Sequence, residues 1–235
     1  LNDHWELFKD PEQPSKGRFH NCILGWTCET INTKKMKVYG LDRKFVNFRP
    51  GTGAALAAAI ASNYERGEPF VAYYWGPTWV LGKYDLTMLD EPPYDPEIWE
   101  RLSKDKNPTQ ATAYPTVAVS IGIHKPFADK APSVVAFLEK YKTSSAIISE
   151  ALAYMQEKKG RTPQDAAIQF LRTRTDLWEN WVSDEVADKV AAALQIERKK
   201  KDSAWLIKID QPINDAVKWV VREYQPFFDG ISAPI

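Results

Sequence analysis

Phe70-Val71-Ala72-Tyr73-Tyr74-Trp75-Gly76-Pro77-Thr78-Trp79-Val80-Leu81-Gly82-Lys83 opens as a β-branched and aromatic run and closes on a tryptophan, a glycine and a proline. Its first half has the composition of a strand, and Gly76-Pro77 marks the point where the backbone must turn. An indole at the mouth of a strand is poorly placed for a core and well placed for a ligand. The pattern also occurs earlier, in Phe19-His20-Asn21-Cys22-Ile23-Leu24-Gly25-Trp26-Thr27-Cys28. Trp26 and Trp75, at the mouths of neighbouring strands, would pack their ring faces around a cation. A quaternary ammonium suits such a site, because it has no N–H to donate and is attracted by the negative face of an indole. The competing reading is that both rings are buried packing residues, as most tryptophans are. Both readings stand at this level.

Outward from these segments the first ~110 residues alternate strand and helix. Strands are expected at 17–24, 45–49, 70–75 and 86–89. Helices are expected at 29–39, closed by Gly40, and at 54–66, closed by Gly67. Such alternation implies an α/β fold with a mostly parallel sheet and right-handed crossovers. Ligands of open α/β sheets sit at the carboxyl ends of the strands, where Trp26 and Trp75 fall. Pro50-Gly51-Thr52-Gly53 has the look of a phosphate cradle, but it lacks the Walker lysine and the dinucleotide spacing. Thr52 reads better as a helix N-cap.

Residues 91–112 turn to Pro, Asp, Lys and Asn and read as a surface excursion. Thr116–Ile123 is again β-branched and nearly continuous in apolar character, which predicts a strand covered on both faces. Helices are expected at 132–140, 144–158, 163 to about 182, and 183–194, with Ser144, Thr162 and Ser183 as N-caps. A charged linker follows, and from Ile213 an amphipathic helix whose apolar face wants a membrane interface or a partner helix. The predicted organisation is 1–112, 113–195 and 196–235.

The charges balance at 31 basic and 31 acidic, so nothing marks a nucleic-acid partner. No apolar run reaches the ~20 residues that span a bilayer. The chain opens on Leu1-Asn2-Asp3-His4-Trp5, without Met or leader, and reads as a piece of something longer. Nine tryptophans are many for this length; Trp5, Trp99, Trp178 and Trp181 read as packing residues. No Cys or His pair has metal-ligand spacing, and no cofactor motif is evident. Cys22 and Cys28 admit two readings: a short disulfide across the Gly25-Trp26 turn, which implies an oxidising compartment, or a thiolate enzyme in which Cys28 pairs with His20 or His124.

Residues 1–194 resemble the glycine betaine/proline-binding protein family of ABC transporters. The likeness is carried by Lys16-Gly17-Arg18-Phe19, the Cys22–Cys28 turn, Tyr39-Gly40-Leu41-Asp42, Arg49-Pro50-Gly51, Arg66-Gly67-Glu68-Pro69, Tyr73 to Trp79, Gly82-Lys83-Tyr84-Asp85-Leu86 and Ala131-Pro132. The resemblance implies a periplasmic-binding-protein-like lobe and a non-catalytic receptor for glycine betaine, with choline or carnitine as alternatives. It implies Trp26 and Trp75 as cage residues, Thr27 and Cys28 as the turn whose amides hold the ligand carboxylate, and a Cys22–Cys28 disulfide. Thr27 stands where the family has glycine. It also implies a first lobe preceding residue 1. The tail, Gln211 to Ile235, resembles the approach to the first span of the permease subunit, which implies a fused permease and a periplasmic or extracytoplasmic place beside the cytoplasmic membrane.

Overall fold

Gly17–His20 forms β1, flanked on either side by Phe45–Phe48 (β2) and Val71–Ala72 (β3), both parallel to it. Phe19 stands opposite Asn47 and Val71, and His20 opposite Phe48 and Ala72. Since side chains alternate along a strand, Phe19, Asn47 and Val71 share one face and His20, Phe48 and Ala72 the other. Helix α1 (Thr27–Val38) covers the first face, with Met36 buried alongside Phe45, Val71 and Phe19. Helix α2 (Gly53–Glu65) covers the second, packing Leu56, Ala57 and Ile60 near Ala72 and Tyr74. The α/β expectation therefore holds, with a small parallel sheet between helices.

The structure is a computed structural model that describes residues 1–198, in two compact units that divide after Val119. The expected tail helix from Ile213 lies outside the described residues.

Local signals act as expected at most helix ends. The Thr52 hydroxyl accepts from the Ala55 N–H at 3.0 Å, and Ser144, Thr162 and Ser183 cap their helices in the same way. Helix α3 (Trp79–Lys83) follows β3 after a cis Gly76-Pro77 bond and is capped by Thr78.

Expectations are corrected at several segments. Residues 86–89 form no strand; Met88 is 89% exposed and nothing pairs with the segment among the described residues. Thr116–Ile123 likewise forms none, with Val117 and Val119 largely exposed. A strand needs a ladder partner for its backbone groups, and β-branched composition alone does not supply one. The excursion at 91–112 instead contains a helix, α4 (Pro96–Lys104), started by Asp95, whose carboxylate accepts from the Glu97 and Ile98 N–H groups at 2.9 Å.

The second unit is helical where described: α5 (Lys125–Lys130), α6 (Pro132–Lys140), α7 (Ser145–Glu157), α8 (Pro163–Thr173), α9 (Thr175–Trp178) and α10 (Asp184–Leu194). Trp178 and Trp181 are buried, as expected, with Ala187, Phe137 and Phe170. The single helix expected from 163 to about 182 breaks at Arg174. There the Trp178 indole N–H donates to the Leu171 carbonyl at 2.8 Å, taking an acceptor that a continuous helix would use. Among the described residues no helix is long and apolar enough to cross a membrane.

Candidate ligand-binding site

Because β1 and β3 are adjacent and parallel, the segments leaving their carboxyl ends emerge at the same edge of the sheet. Pairing continues one step past β3, with the Tyr73 N–H donating to the His20 carbonyl at 2.8 Å. Two residues later Trp75 leaves the strand. From β1 the chain passes through Asn21 and Cys22 into a tight turn. Gly25 takes φ +89°, a conformation that L side chains rarely adopt, and the Trp26 N–H closes the turn on the Ile23 carbonyl at 3.1 Å. Trp26 is thereby set at the N-cap of α1.

The two indoles meet, with centroids 5.7 Å apart and planes inclined at 51°. Both are half-buried. Two rings that sandwiched a methylated ammonium would stand on the order of 8 Å apart, twice a carbon–carbon contact of ~4 Å. At 5.7 Å the two faces are too close to sandwich such a group, and the pair forms a V instead. Tyr74 stacks on Trp75 at 4.7 Å and Tyr73 lies 6.3 Å from it, so neighbouring rings hold this indole in place. Gly53, at the start of α2, lies against the far edge of Trp75: a Cβ there would fall 3.8 Å from the ring and 3.7 Å from Ile23.

Beside the V, α1 begins. Its N-cap, Trp26, makes no side-chain capping bond, and the Thr27 and Cys28 amides that follow are first-turn donors with no acceptor inside the helix. Thr27 is exposed and Cys28 half-buried. This end of the helix carries the positive pole of its dipole and favours an anion. The four residues singled out by sequence, Trp26, Thr27, Cys28 and Trp75, thus come together around one edge.

Cys22 and Cys28 form a disulfide, with Cα atoms 5.8 Å apart. The thiolate reading of Cys28 is overturned, since neither cysteine is free. His20 is no poised partner either. It is buried, its Nδ1 finds no hydrogen-bond partner, and burial, with the Arg18 charge adding and Asp10 opposing, pushes it down to about 4. A histidine depressed in the folded state binds its proton more readily unfolded, so folding stability falls as pH drops from the ordinary value of 6.5 towards 4. Between pH 6.5 and pH 5 this group should cost about 2 kcal/mol of stability. His20→Phe, which keeps a ring against Phe48, should flatten that part of the profile; denaturant unfolding at both pH values measures it, and an unchanged slope would refute the assignment.

Sequence reading missed the polar network beneath the turn. Asn21 is fully buried; its Oδ1 accepts from the Cys22 N–H at 2.6 Å and from Asn32 at 2.9 Å. Its Nδ2 donates to Asn47 Oδ1 at 2.8 Å and to the Glu29 carbonyl at 3.3 Å. Asn47 in turn donates to Thr33 Oγ1, whose hydroxyl donates to the Glu29 carboxylate, itself paired with Arg49 at 2.5 Å. On the other side the Tyr114 hydroxyl donates to Asn32 Oδ1 at 2.8 Å, and the Tyr114 ring lies 5.5 Å from Tyr73. Burial raises the Tyr114 hydroxyl above its ordinary range, so it stays a donor. An apolar run interrupted by Asn21 was the only sequence signal for this network, and it needed the sheet register to be read.

Residues 1–173 match the family described as the substrate binding domain of the ABC-type glycine betaine transport system. The chain is 26% identical over 190 residues to the glycine betaine/proline betaine-binding periplasmic protein of Salmonella typhimurium, covering 76% of this chain and 56% of that protein. It is 26% identical over 129 residues to the glycine betaine-binding periplasmic protein OusX of Dickeya dadantii, covering 53% of this chain and 39% of that one. The chain thus spans about half the length, or less, of these curated relatives. Those proteins are named for binding a substrate, not for transforming one. The match extends over well more than half of the chain, and the chain belongs to the family of substrate-binding domains of ABC-type glycine betaine transport systems.

Proposed function

We propose that this chain carries one wall of a receptor site for glycine betaine-type quaternary ammonium osmolytes and serves outside the cytoplasmic membrane as the binding component of an ABC transporter. The V of Trp26 and Trp75 beside the open end of α1 is the observation that carries the reading. A betaine joins a fixed cation to a carboxylate across one methylene. The indole faces attract the cation, and the Thr27 and Cys28 amides, at the positive end of a helix, receive the carboxylate. No bond is made or broken in the bound molecule, so no acid, base or nucleophile is needed. The disulfide supports an oxidising compartment. The names of the relatives support the periplasm.

In this reading residues 1–112 are one ligand-binding lobe, 113–195 belong to the structure of the other, and the tail leads to a fused permease. Choline or carnitine would use the same V; choline lacks the carboxylate and would forgo the α1 amides. The test is a titration of the chain, uniformly labelled with heavy nitrogen so that indole and backbone N–H groups are both seen, with glycine betaine up to several hundred millimolar, followed by nuclear magnetic resonance. Saturable shifts of the Trp26 and Trp75 indole signals, together with the Cys28 amide, are expected. Glycine, which has the carboxylate but no methylated cation, should leave the indoles unmoved. Indoles indifferent to betaine across that range would defeat the proposal.

A further inference from the structure

We propose that Asn21 is the positioning residue of the ligand turn, and that its amide, more than the disulfide, fixes the direction of the Thr27 and Cys28 N–H groups. The inference rests on the proposed use of those amides for a carboxylate. The bridge joins residues six apart, and so short a loop removes little freedom from the unfolded chain. It fixes a distance between two Cα atoms and leaves the peptide planes between them free to rotate.

Asn21 constrains what the bridge does not. It lies at the base of the loop and grips both sides of it, taking the Cys22 N–H on one side and giving a hydrogen bond to the Glu29 carbonyl on the other. Glu29 directly follows Cys28, so fixing its carbonyl fixes the plane that closes the first turn of α1. The same amide is locked against rotation by Asn32 and Asn47, one an α1 donor and the other a β2 acceptor. Exchanging its oxygen and nitrogen would break all of these bonds. A fully satisfied buried network of this kind holds one geometry, because any other leaves a polar group unpaired where water cannot reach it.

The test compares the oxidised parent, the parent reduced by a phosphine and checked for two titratable thiols, Asn21→Ala, and Asn21→Asp, which keeps the acceptor and loses the donor. Each is titrated with glycine betaine and with choline. Betaine affinity is expected to fall about tenfold or more in both variants while choline affinity stays within twofold. The reduced parent should stay within threefold for both ligands. Equal weakening of both ligands in the variants would make Asn21 a plain core residue and overturn the proposal. Loss of betaine binding on reduction alone would overturn it as well, by giving the role to the disulfide.

If the parent binds neither ligand, the functional reading falls, and amide exchange at Trp26 and Glu29, both of which have acceptors, decides this proposal by itself. Exchange there should speed up about tenfold or more in Asn21→Ala and less than threefold on reduction; the reverse order sinks it. Should the variants fail to fold, the reduced parent still decides, since collapse of its Trp26 and Cys28 signals would show that the bridge holds the turn.

Discussion

Trp26→Ala and Trp75→Ala should each weaken glycine betaine binding by about tenfold or more, and the double variant by less than the product of the two, because rings in contact do not act independently. A desolvated indole contributes up to ~2 kcal/mol through its attraction for a cation, and ~1.4 kcal/mol is a factor of ten in affinity. The two variants differ in what else they remove. Trp75 stacks on Tyr74 and borders the Leu56–Ile60 cluster, so its loss also costs packing. Trp26 stands on the Gly25 turn with fewer neighbours, and its alanine variant reports the cation contact more cleanly. Trp75→Phe separates the effects, since it keeps an apolar ring of weaker quadrupole and should recover part of the lost affinity. Titration with betaine to several hundred millimolar, followed by nuclear magnetic resonance as for the parent, measures the affinity, and a melting curve for each variant measures the packing. Full-strength binding by Trp26→Ala would return these indoles to the packing role that the sequence also allowed.

Much of this site was legible because its signals are local. A strand-like run ending in Gly-Trp or Trp-Gly-Pro occurs at both segments, and the β-α alternation already placed both at the carboxyl edge of one sheet. Gly25 and the N-cap residues likewise announce themselves within a few positions. What sequence could not give was pairing. Tyr73 and Gly53 border Trp75 only because β3 lies beside β1 and α2 starts at the same edge. Asn21 reads as a polar interruption until the register sets it against Asn47 and Asn32. The failures share that cause: 86–89 and 116–123 have strand composition, and whether a strand forms depends on a partner that no local pattern reveals.

The family likeness and the geometry also constrain each other. The relatives are named for binding a betaine, and this chain covers about half or less of their length. The indole pair and the first turn of α1 are the contacts this chain offers in the proposed site. Affinity measured on this chain alone should therefore be weak, in the millimolar range or above, and the ratio of betaine to choline is the more informative number. A carboxylate bound at α1 would raise that ratio even where both constants are poor.

Leu102→Ala should destabilise the first unit by about 3.5 kcal/mol, the middle of the range for a buried leucine that leaves a cavity. The prediction follows from the corrected segment at 91–112. Its Pro, Asp and Lys content reads as loop, yet Asp95-Pro96 is an N-cap followed by a proline in the first turn, and Ile98, Trp99 and Leu102 recur at helical spacing. Leu102 is fully buried against Ile31 and Ala111, with Val38, Tyr39, Trp99 and Tyr114 around it. The ends of the segment are tied down as well. The Thr112 hydroxyl accepts from the Asp95 N–H at 2.9 Å, and the Lys34 ammonium donates to the Leu102 and Ser103 carbonyls at 2.9 Å, satisfying the end of α4. Few rearrangements are open to a strap anchored at both ends, so the cavity should persist and the cost should stay near the middle of that range. Met88→Ala, at an 89% exposed position a few residues upstream, should change stability by less than about 0.5 kcal/mol. Denaturant melts of both variants decide it, and a Leu102→Ala change as small as that of Met88→Ala would mean that the excursion lies loosely on the surface after all.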